Sequence, residues 1–501
     1  MDPATPINCA HATKVGVRNF VLLFVGCVLF HAAGTWSLPL IDRDEPRFAE
    51  ASREMLERGD YVVPYLNNQY RFDKPPLIYW LQSTSYRVFG ESDFAARFPS
   101  VIAAAFTAVL LLAWGRRIGG ERVGWWAAIM FTICLQTFIH ARAAVADMWL
   151  VLFMTAAHWG GYELLRDRLG GAGAVQETPT PQRRWWWLFY LSLAFAFLTK
   201  GPIGWTPLLA LCVMRFVLPR KLSGLNRRFL FVTGLLFMLS LVAVWGIPAL
   251  VRTQGEFFNI GIGKHVVARS VVAMEGHGSR TIGGWVLALP FYFLLVFVTF
   301  FPWSIKLPWL ARKLWRNRDP LDNYLIAGAA VIFLIFTLVK TKLPHYTLPA
   351  FPLLALLLAR ALSRQPNAER FVRRTAIVLG TIGLLVALST PLLARYSPSL
   401  QLMRLARADL QPEMEFAGLH YKEPSLVWYF RKHVHGYMAD VDYDRVGPFM
   451  QQAGPRFVVL PTASIPRAFP AVPPEWKSYS TRGFNPANGK WVELTLLLKA
   501  E

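Results

Sequence analysis

The feature that most constrains this chain is a series of apolar segments, each long enough to cross a bilayer. Eleven such segments are predicted, at residues 17–38, 95–114, 122–139, 144–165, 185–199, 202–218, 229–251, 284–304, 321–340, 345–362 and 371–394. A transmembrane helix needs about 20 apolar residues. Hydrophobic residues make up 54% of the 501, more than a soluble fold of this size usually hides. The sequence therefore predicts an all-α polytopic membrane bundle.

The positive charge of the chain follows the order of these spans. Lys and Arg outnumber Asp and Glu by 53 to 31, which gives a formal net charge of +22. In a soluble chain such a surplus suggests nucleic acid, but here the basic residues fill every second loop, as expected of cytoplasmic loops. These loops contain Arg116 and Arg117, Arg166 and Arg168, Arg227 and Arg228, Arg316 and Arg318, and Arg373 and Arg374. We therefore predict no nucleic-acid partner, a cytoplasmic N-terminus and an external C-terminus.

Three polar stretches interrupt or follow the spans on the external side. The first external loop, residues 40–95, has amphipathic segments at 45–57 and 76–89 that are predicted as helices in the membrane interface. A second large external loop covers 252–283. The sequence thus predicts a transmembrane domain over 1–394. Residues 395–501 contain strand-like runs at 456–460 and 491–498 separated by turns, which predicts a small C-terminal α/β domain outside the membrane.

Ionisable side chains near the external ends of the spans are the candidates for chemistry. Charges at membrane depth are costly and tend to mark a substrate path, although each one alone is more simply a solvated loop charge or a snorkelling side chain. So many at one depth favour a common site. They are Asp42, Asp44, Glu45, Arg47, Asp73, Lys74, Arg142, Asp147, Lys200, His265, Lys340, Lys342 and His345.

The first loop contributes both acids and cations. In the pair Asp44-Glu45 one carboxylate can act as a base while the other orients a partner, although such pairs also cap helices. Arg47 can grip a phosphate with its planar fork, and Lys74 can do so as a compact charge. Lys74 also stands just ahead of a predicted helix start, where free backbone N–H groups favour anions.

Later segments add to the same face. Asp147 lies too deep in its span for an ordinary solvated aspartate, so it is either catalytic or half of a buried ion pair with Arg142 or another cation. The segment KTKLPHY, residues 340–346, adds further positive charge and hydrogen-bond donors. An acidic centre flanked by cations suits a sugar donor with an anionic lipid phosphate, because the cations stabilise the charge that develops on the leaving phosphate.

A set of motifs carries a family resemblance over about residues 15–362. The runs DEPRFAEASREML, GDYVVPYLNNQYRFDKPPLIYW, FGESDFAARFPS, AVADMW, LTKGPIG and KTKLPHYTLPAFPLLALLLA occur in this order. Together they resemble bacterial lipid-linked-sugar glycosyltransferases of the GT-C class, and are most similar to the 4-amino-4-deoxy-L-arabinose lipid A transferase family, relatives of protein O-mannosyltransferases. The resemblance implies an undecaprenyl phosphate or other polyprenyl phosphate sugar donor, inverting transfer, and a periplasmic active site in a bacterial inner-membrane protein.

The resemblance also implies roles for particular residues. Asp44 matches the catalytic aspartate, with Glu45 beside it, and Asp147 matches the second acidic position. Arg47 and Lys74 match phosphate contacts, and Tyr346 matches the aromatic residue that reaches the donor phosphate. Lys200, Lys340, Lys342 and His345 are predicted to add to the phosphate site.

One departure from the family concerns metal binding. Relatives often have an aromatic residue and a glutamate before the KPP motif, where this chain has Arg71, Phe72 and Asp73. The family can bind a divalent ion through that acid and a histidine of the second large external loop. Asp73 and His265 are therefore the metal candidates here, and the expectation is that catalysis requires no cofactor.

Three functions stay open at this stage. The first is transfer of an aminoarabinose-like pentose or related sugar to lipid A or another envelope glycan. The second is a protein or polysaccharide glycosyltransferase with the same donor class. The third is a transporter or flippase, which is disfavoured because neither a repeated half nor charges along the full depth of several spans is evident.

Overall fold

The computed structural model describes residues 16–169, 182–217, 224–268, 270 and 281–500, so part of the second external loop lies outside the described residues. Helices dominate up to residue 406. The first of them are α1 (Val17–Ala32), α2 (Asp44–Arg58), α3 (Leu77–Phe89), α4 (Asp93–Gly119), α5 (Glu121–Ile133), α6 (Leu135–His140), α7 (Asp147–Leu164), α8 (Arg166–Leu169), α9 (Gln182–Lys200), α10 (Thr206–Val217), α11 (Leu225–Phe229) and α12 (Phe231–Arg252). A 3-10 turn, Gly201–Trp205, joins α9 to α10, and a short hairpin, β1 (Tyr65–Leu66) with β2 (Gln69–Tyr70), lies between α2 and α3.

The second part of the bundle follows a π-helical segment, Phe257–Ala268. Its helices are α13 (Ile282–Leu287), α14 (Phe291–Thr299), α15 (Leu307–Arg316), α16 (Pro320–Leu338), α17 (Phe351–Ser363), α18 (Ala368–Leu388), α19 (Thr390–Ala394) and α20 (Pro398–Ala406). A 3-10 helix at Trp303–Lys306 precedes α15, and another at Pro344–Ala350 leads into α17. Local sequence explains several boundaries. For example, Asp319 and Asp322 form a capping box around Pro320 at the start of α16.

Length and composition identify the membrane-crossing helices among the described residues. Six are long and apolar enough: Asp93–Gly119, Arg183–Val217, Phe231–Arg252, Pro320–Leu338, Pro344–Ser363 and Ala368–Ala394. The protein is therefore a multi-pass membrane protein, and the predicted helical class is confirmed. Each of the eleven predicted segments contains helix, but several of these helices are short or broken, so the count of eleven spans stays a prediction.

The two amphipathic segments of the first loop form helices α2 and α3, close to their predicted bounds. The environment of α2 differs from the expected membrane interface. Its apolar side packs Phe48 and Met55 against Ile78, Tyr79 and neighbouring residues of the α7 entrance. Its charged side is also buried, because the C-terminal domain covers it. An amphipathic pattern records only that one face is apolar and leaves open what covers the other.

The C-terminal segment forms the predicted α/β domain around one five-stranded sheet. Its strands and helices are β3 (Glu415–Leu419), α21 (Pro424–Phe430), β4 (Met438–Val441), α22 (Tyr443–Gln451), β5 (Arg456–Pro461), α23 (Ile465–Ala468), β6 (Lys477–Asn485) and β7 (Lys490–Lys499). The strand order is β4-β3-β5-β7-β6, with β3 parallel to β4 and β5, and β7 antiparallel to β5 and β6. Helical crossovers α21 and α22 make the parallel pairing possible.

Helix α21 docks the C-terminal domain on the first loop. The indole Nε1 of Trp428 donates to Asp93 Oδ1 at 2.7 Å, and the hydroxyl of Tyr429 lies 3.0 Å from Asp93 Oδ2. Asn67, from the β1–β2 turn, bonds both to the N–H and to the carbonyl of Met438 at 2.8 Å. The first loop is thereby enclosed between the bundle and the C-terminal sheet.

Candidate active site

Asp44 begins helix α2 and is the accessible carboxylate of the first loop. Its side chain is exposed, and it makes no hydrogen bond or ion pair with any residue that the structure describes. It lies within electrostatic range of the cations Arg71 and Lys200. The N-terminal end of a helix favours a carboxylate, so the start of α2 and the nearby cations both suit the side chain of Asp44.

Glu45, the next residue, has the opposite environment. It is buried, and both of its oxygens accept from Arg97, at 2.8 and 2.7 Å. The backbone N–H groups of Ala144 and Ile41 also donate to it, at 2.7 and 2.8 Å. These contacts join three segments of the chain. They give Glu45 a positioning task and leave Asp44 as the carboxylate that a substrate can reach.

Asp147 forms a buried ion pair, which is one of the two roles that the sequence predicted for it. Its Oδ1 lies 2.6 Å from Lys200 Nζ, and both side chains are mostly buried. His345 Nε2 is 3.9 Å from the same oxygen. The partner is thus Lys200 rather than Arg142, which instead donates to the carbonyl of His31 at 3.2 Å, at the end of α1. The pair fixes the Lys200 ammonium at the junction of α7 and α9.

A second cationic group surrounds Asp73. Lys74 Nζ lies 2.7 Å from Asp73 Oδ1, and Arg71 donates to Oδ2 at 3.1 Å. Burial acts to raise the pKa of Asp73, but Lys74 and Arg71 outweigh it, so this pKa lies well below its usual range. The group carries a surplus of positive charge, and Lys74 lies within electrostatic range of His345.

The predicted metal pair, Asp73 and His265, is brought together by the fold. His265 Nδ1 lies 3.3 Å from Asp73 Oδ1. The same oxygen already accepts from the Lys74 ammonium, and among the described residues no cluster of three or more His, Cys, Asp or Glu side chains could hold a metal. A divalent ion needs more oxygen or nitrogen ligands than these two side chains supply, and the Lys74 ammonium occupies one of their atoms. The metal role of Asp73 and His265 stays a prediction.

The segment KTKLPHY divides into residues that face the pocket and one that does not. Tyr346 is buried, and its ring centroid is 5.8 Å from Lys200 Nζ. Lys342 points elsewhere: its ammonium donates to the carbonyls of Phe336 and Thr337, at 2.8 and 2.6 Å, and so caps the end of α16. Burial lowers the pKa of Lys342 to about 8. This corrects the prediction that Lys342 contacts the donor phosphate.

The remaining predicted cations flank the pocket. Arg47 lies one helical turn after Asp44 and is half-buried, with no hydrogen bond or ion pair to the described part of the chain. Lys340 is also half-buried, and its backbone N–H donates to the Ser270 carbonyl at 3.1 Å. Their roles as phosphate contacts stay predictions.

Sequence reasoning missed two members of this pocket. Arg71 was noted only as a departure from the family, yet it pairs with Asp73 and interacts with Asp44. His140 follows the predicted span 122–139 and was not named as a candidate. Its ring centroid is 5.0 Å from that of His345, and Gln136 Nε2 lies 3.1 Å from its Nδ1. The available signal was the short distance in sequence from His140 to Asp147.

The geometry therefore combines one accessible carboxylate with a rim of cations. Lys74, Arg71 and Lys200 can stabilise a phosphate, and Asp44 lies within electrostatic range of Arg71 and Lys200. A low-dielectric pocket strengthens such interactions with a group that develops charge. This arrangement suits a reaction in which a phosphate group leaves a carbon atom that gains positive charge as the bond breaks.

A comparison with protein families gives one match. The family described as dolichyl-phosphate-mannose-protein mannosyltransferase matches residues 21–257. This region includes Asp44, Lys74, Asp147 and Lys200 but ends before Tyr346.

Curated relatives give longer matches. An undecaprenyl phosphate-alpha-4-amino-4-deoxy-L-arabinose arabinosyl transferase of Edwardsiella ictaluri is 30% identical over 380 residues, which cover 74% of this chain and 64% of the relative. A protein of the same name from Pectobacterium atrosepticum is 31% identical over 388 residues, 75% of this chain and 65% of the relative. The match thus spans slightly less than two thirds of the length of these relatives.

The fold has a counterpart among solved structures. The crystal structure of ArnT from Cupriavidus metallidurans bound to undecaprenyl phosphate superposes with a TM-score of 0.76 at 20% sequence identity, covering 96% of this chain and 98% of that one. The same architecture, bundle and C-terminal domain together, is therefore shared over almost the whole length.

Proposed function

We propose that this chain belongs to the GT-C family of 4-amino-4-deoxy-L-arabinose transferases, and that it is an inverting glycosyltransferase with a polyprenyl phosphate sugar donor. The observation that carries the proposal is that the exposed carboxylate of Asp44 lies within electrostatic range of Arg71 and Lys200. Lys74, beside Arg71 on Asp73, adds a third cation. Relatives named for an undecaprenyl phosphate donor support the same donor here.

The donor phosphate would lie against the cations of the pocket. Lys74 is held by Asp73, and Lys200 by Asp147, so both ammonium groups have fixed positions before the donor arrives. Such preorganisation lowers the cost of stabilising charge as it develops. Tyr346, next to Lys200, can donate its hydroxyl to a phosphate oxygen.

The transfer breaks the bond between the anomeric carbon and the phosphate oxygen, and the electron pair leaves with the polyprenyl phosphate. An acceptor oxygen forms the new bond on the opposite face of the sugar, which inverts the configuration. The anomeric carbon gains positive charge as the bond lengthens, and the Asp44 carboxylate can stabilise it. A phosphate acceptor is already ionised near neutral pH, whereas a hydroxyl acceptor passes its proton to Asp44.

The acceptor follows from the relatives rather than from any single residue. We propose lipid A or another envelope glycan, with the pocket on the periplasmic face of the bacterial inner membrane, the N-terminus in the cytoplasm and the C-terminal domain in the periplasm. The alternating basic loops support this orientation.

The experiment is transfer by the purified protein in lipid nanodiscs. With undecaprenyl phosphate-linked 4-amino-4-deoxy-L-arabinose and lipid A, mass spectrometry should detect lipid A heavier by one aminopentose. Dephosphorylated lipid A separates a phosphate acceptor from a hydroxyl acceptor, and a parallel assay with EDTA tests the divalent ion. Absence of transfer to lipid A and to other envelope glycans from this donor would refute the proposal.

The matched variants are Asp44→Asn and Asp60→Asn, both in the first loop. Asp60 pairs with Arg252 at 2.7 Å, away from the cations of the pocket. Asp44→Asn should lower the transfer rate at least about a hundredfold, because it removes the base or the charge that stabilises the transition state. Asp60→Asn should retain the rate, and equal rates in the two variants would remove Asp44 from the mechanism.

A further inference from the structure

The segment that leads into Asp44 is held by the C-terminal domain. Asp42 Oδ1 accepts a hydrogen bond from the backbone N–H of Ser425 at 3.0 Å, and Oδ2 accepts from the Ser425 hydroxyl at 2.5 Å. Two residues earlier, the backbone N–H of Leu40 donates to the hydroxyl of Tyr429 at 2.9 Å. Both contacts come from helix α21, so one element of the C-terminal domain fixes the segment at two points.

Ser425 is itself oriented by its own domain. Its hydroxyl lies 2.7 Å from that of Ser399, and the Ser399 hydroxyl lies 3.4 Å from the Tyr421 hydroxyl. Beside it, Arg43 Nε lies 3.6 Å from Glu423 Oε2. These hydrogen bonds and the ion pair form a polar junction between the first loop and the C-terminal domain, centred on Asp42 and Ser425. Asp42 is two residues before Asp44, whose carboxylate is exposed.

We propose that Asp42 is a positioning residue, through which the C-terminal domain sets the location of Asp44 in the pocket. This inference rests on the proposed transferase function. Transfer needs its reacting groups in place to within a fraction of an ångström, and a displacement of about 1 Å can cost a hundredfold in rate. The Asp44 side chain makes no hydrogen bond or ion pair with the described residues, so its position depends largely on the backbone on either side.

The charges around Asp42 predict a pH dependence of this junction. Glu423 and Tyr421 face Asp42 from the C-terminal domain, and Arg47 faces it from α2. Burial raises the pKa of Asp42 to about 7; the Ser425 hydrogen bonds oppose this shift and Glu423 reinforces it. Because the folded pKa is raised above the value of about 4 expected for an unfolded chain, Asp42 contributes stability below pH 4 that is lost as the pH rises to about 7.

The test compares Asp42→Ala with Asp42→Asn. Asparagine can accept from the Ser425 N–H and donate to its hydroxyl, so it keeps the junction, whereas alanine removes both hydrogen bonds. Asp42→Ala should lower kcat about ten- to a hundredfold with the donor KM unchanged, because the cations that bind the donor are untouched. Asp42→Asn should restore kcat to within about threefold of the parent. Asp409→Ala, which breaks a contact with Lys477 inside the C-terminal domain, is the control and should leave kcat unchanged.

Hydrogen–deuterium exchange gives a readout that does not depend on transfer. Amides of residues 38–48 should exchange faster in Asp42→Ala than in the parent, and at the parental rate in Asp42→Asn. In thermal denaturation, the Tm of the parent relative to Asp42→Asn should fall between pH 5 and 7 and stay constant above pH 7.

The outcomes separate the two proposals. Unchanged exchange in Asp42→Ala overturns the junction, and faster exchange with unchanged kcat overturns its positioning role. An equal loss of kcat in Asp42→Ala and Asp42→Asn also overturns it, because asparagine keeps the contact. A parent that transfers no sugar refutes the proposed function instead, and the exchange experiment still reports on the junction.

Discussion

Two groups of charges on helix α2 have opposite fates. At its start, Asp44 and Arg47 make no hydrogen bond or ion pair with the described residues. One to three turns later, Glu50, Arg53 and Glu54 are fully buried and paired. Glu50 contacts Arg53, and Arg431 of the C-terminal domain lies 2.5 Å from Glu50. We call Glu50, Arg53 and Glu54 with Arg431 the closed network, because its members pair with each other. Asp44 and Arg47, together with the cations near Asp44, form the open network.

The difference teaches where the chain uses charge for structure and where it keeps charge for a ligand. Buried carboxylates require partners, because an unpaired buried charge is strongly destabilising. The docking network meets this need from within the protein: Arg431 also reaches Glu57 at 2.8 Å, and Glu54 accepts from the backbone of Asn67 at 2.5 Å. At the start of α2, Asp44 is exposed and Arg47 is half-buried, so neither requires a partner from within the protein and both can be used by a ligand.

The largest expected effect tests the closed network. Arg431→Ala leaves Glu50 buried without its partner from the C-terminal domain, which should lower the free energy of unfolding by about 3–5 kcal/mol. The Tm in detergent should fall, while donor affinity per folded molecule stays at the parental value. The control is Arg467→Ala, at an exposed arginine of the same domain. A large loss of donor affinity with an unchanged Tm would show that the two networks are not separate.

An intermediate effect tests the open network. Lys74→Ala should weaken the binding of undecaprenyl phosphate by about 1.5–3 kcal/mol, since it removes a charged hydrogen-bond donor. Binding is measured by titration of the lipid into the nanodisc-bound protein. Lys422→Ala, at a lysine paired with Asp440 on the C-terminal domain, should bind normally. Equal donor affinity in Lys74→Ala and the parent would exclude Lys74 from the phosphate site.

The smallest expected effect tests whether Lys342 lies outside the phosphate site. Lys342→Met removes the cation that caps α16, which should cost about 1 kcal/mol of stability and leave donor affinity within about twofold of the parent. A thermal melt and the same lipid titration measure both. If Lys342→Met lowers donor affinity as much as Lys74→Ala does, Lys342 contacts the donor phosphate after all.

The sequence predicted the positions of helices and strands better than it predicted what packs against them. Apolar runs and basic loops report directly on spans, because the bilayer imposes a length and a charge rule on every segment. The strand at Arg456–Pro461 was likewise visible in its composition. Amphipathic α2 was predicted as a helix, but the pattern could not distinguish a membrane surface from the C-terminal domain that covers it.

For the site, the sequence predicted which residues lie near each other more successfully than it predicted which of them form pairs. It placed Asp147 and Lys200 at one depth, but their pairing at 2.6 Å depends on how α7 packs against α9. It could not distinguish Asp44 from Glu45, because the difference comes from Arg97, which is distant in the sequence. The direction of Lys342 depends in the same way on the path of the chain after α16.

The docking of α21 on α2 also constrains the order in which the protein can mature. Glu50 meets Arg431 across 381 residues of sequence. During synthesis, the first loop emerges while its buried acids still lack this partner, so the loop reaches its final stability only after the late segment has been made and has docked on it. A chain that stops before residue 431 lacks this partner of Glu50, so we expect its first loop to be less stable than in the full-length protein.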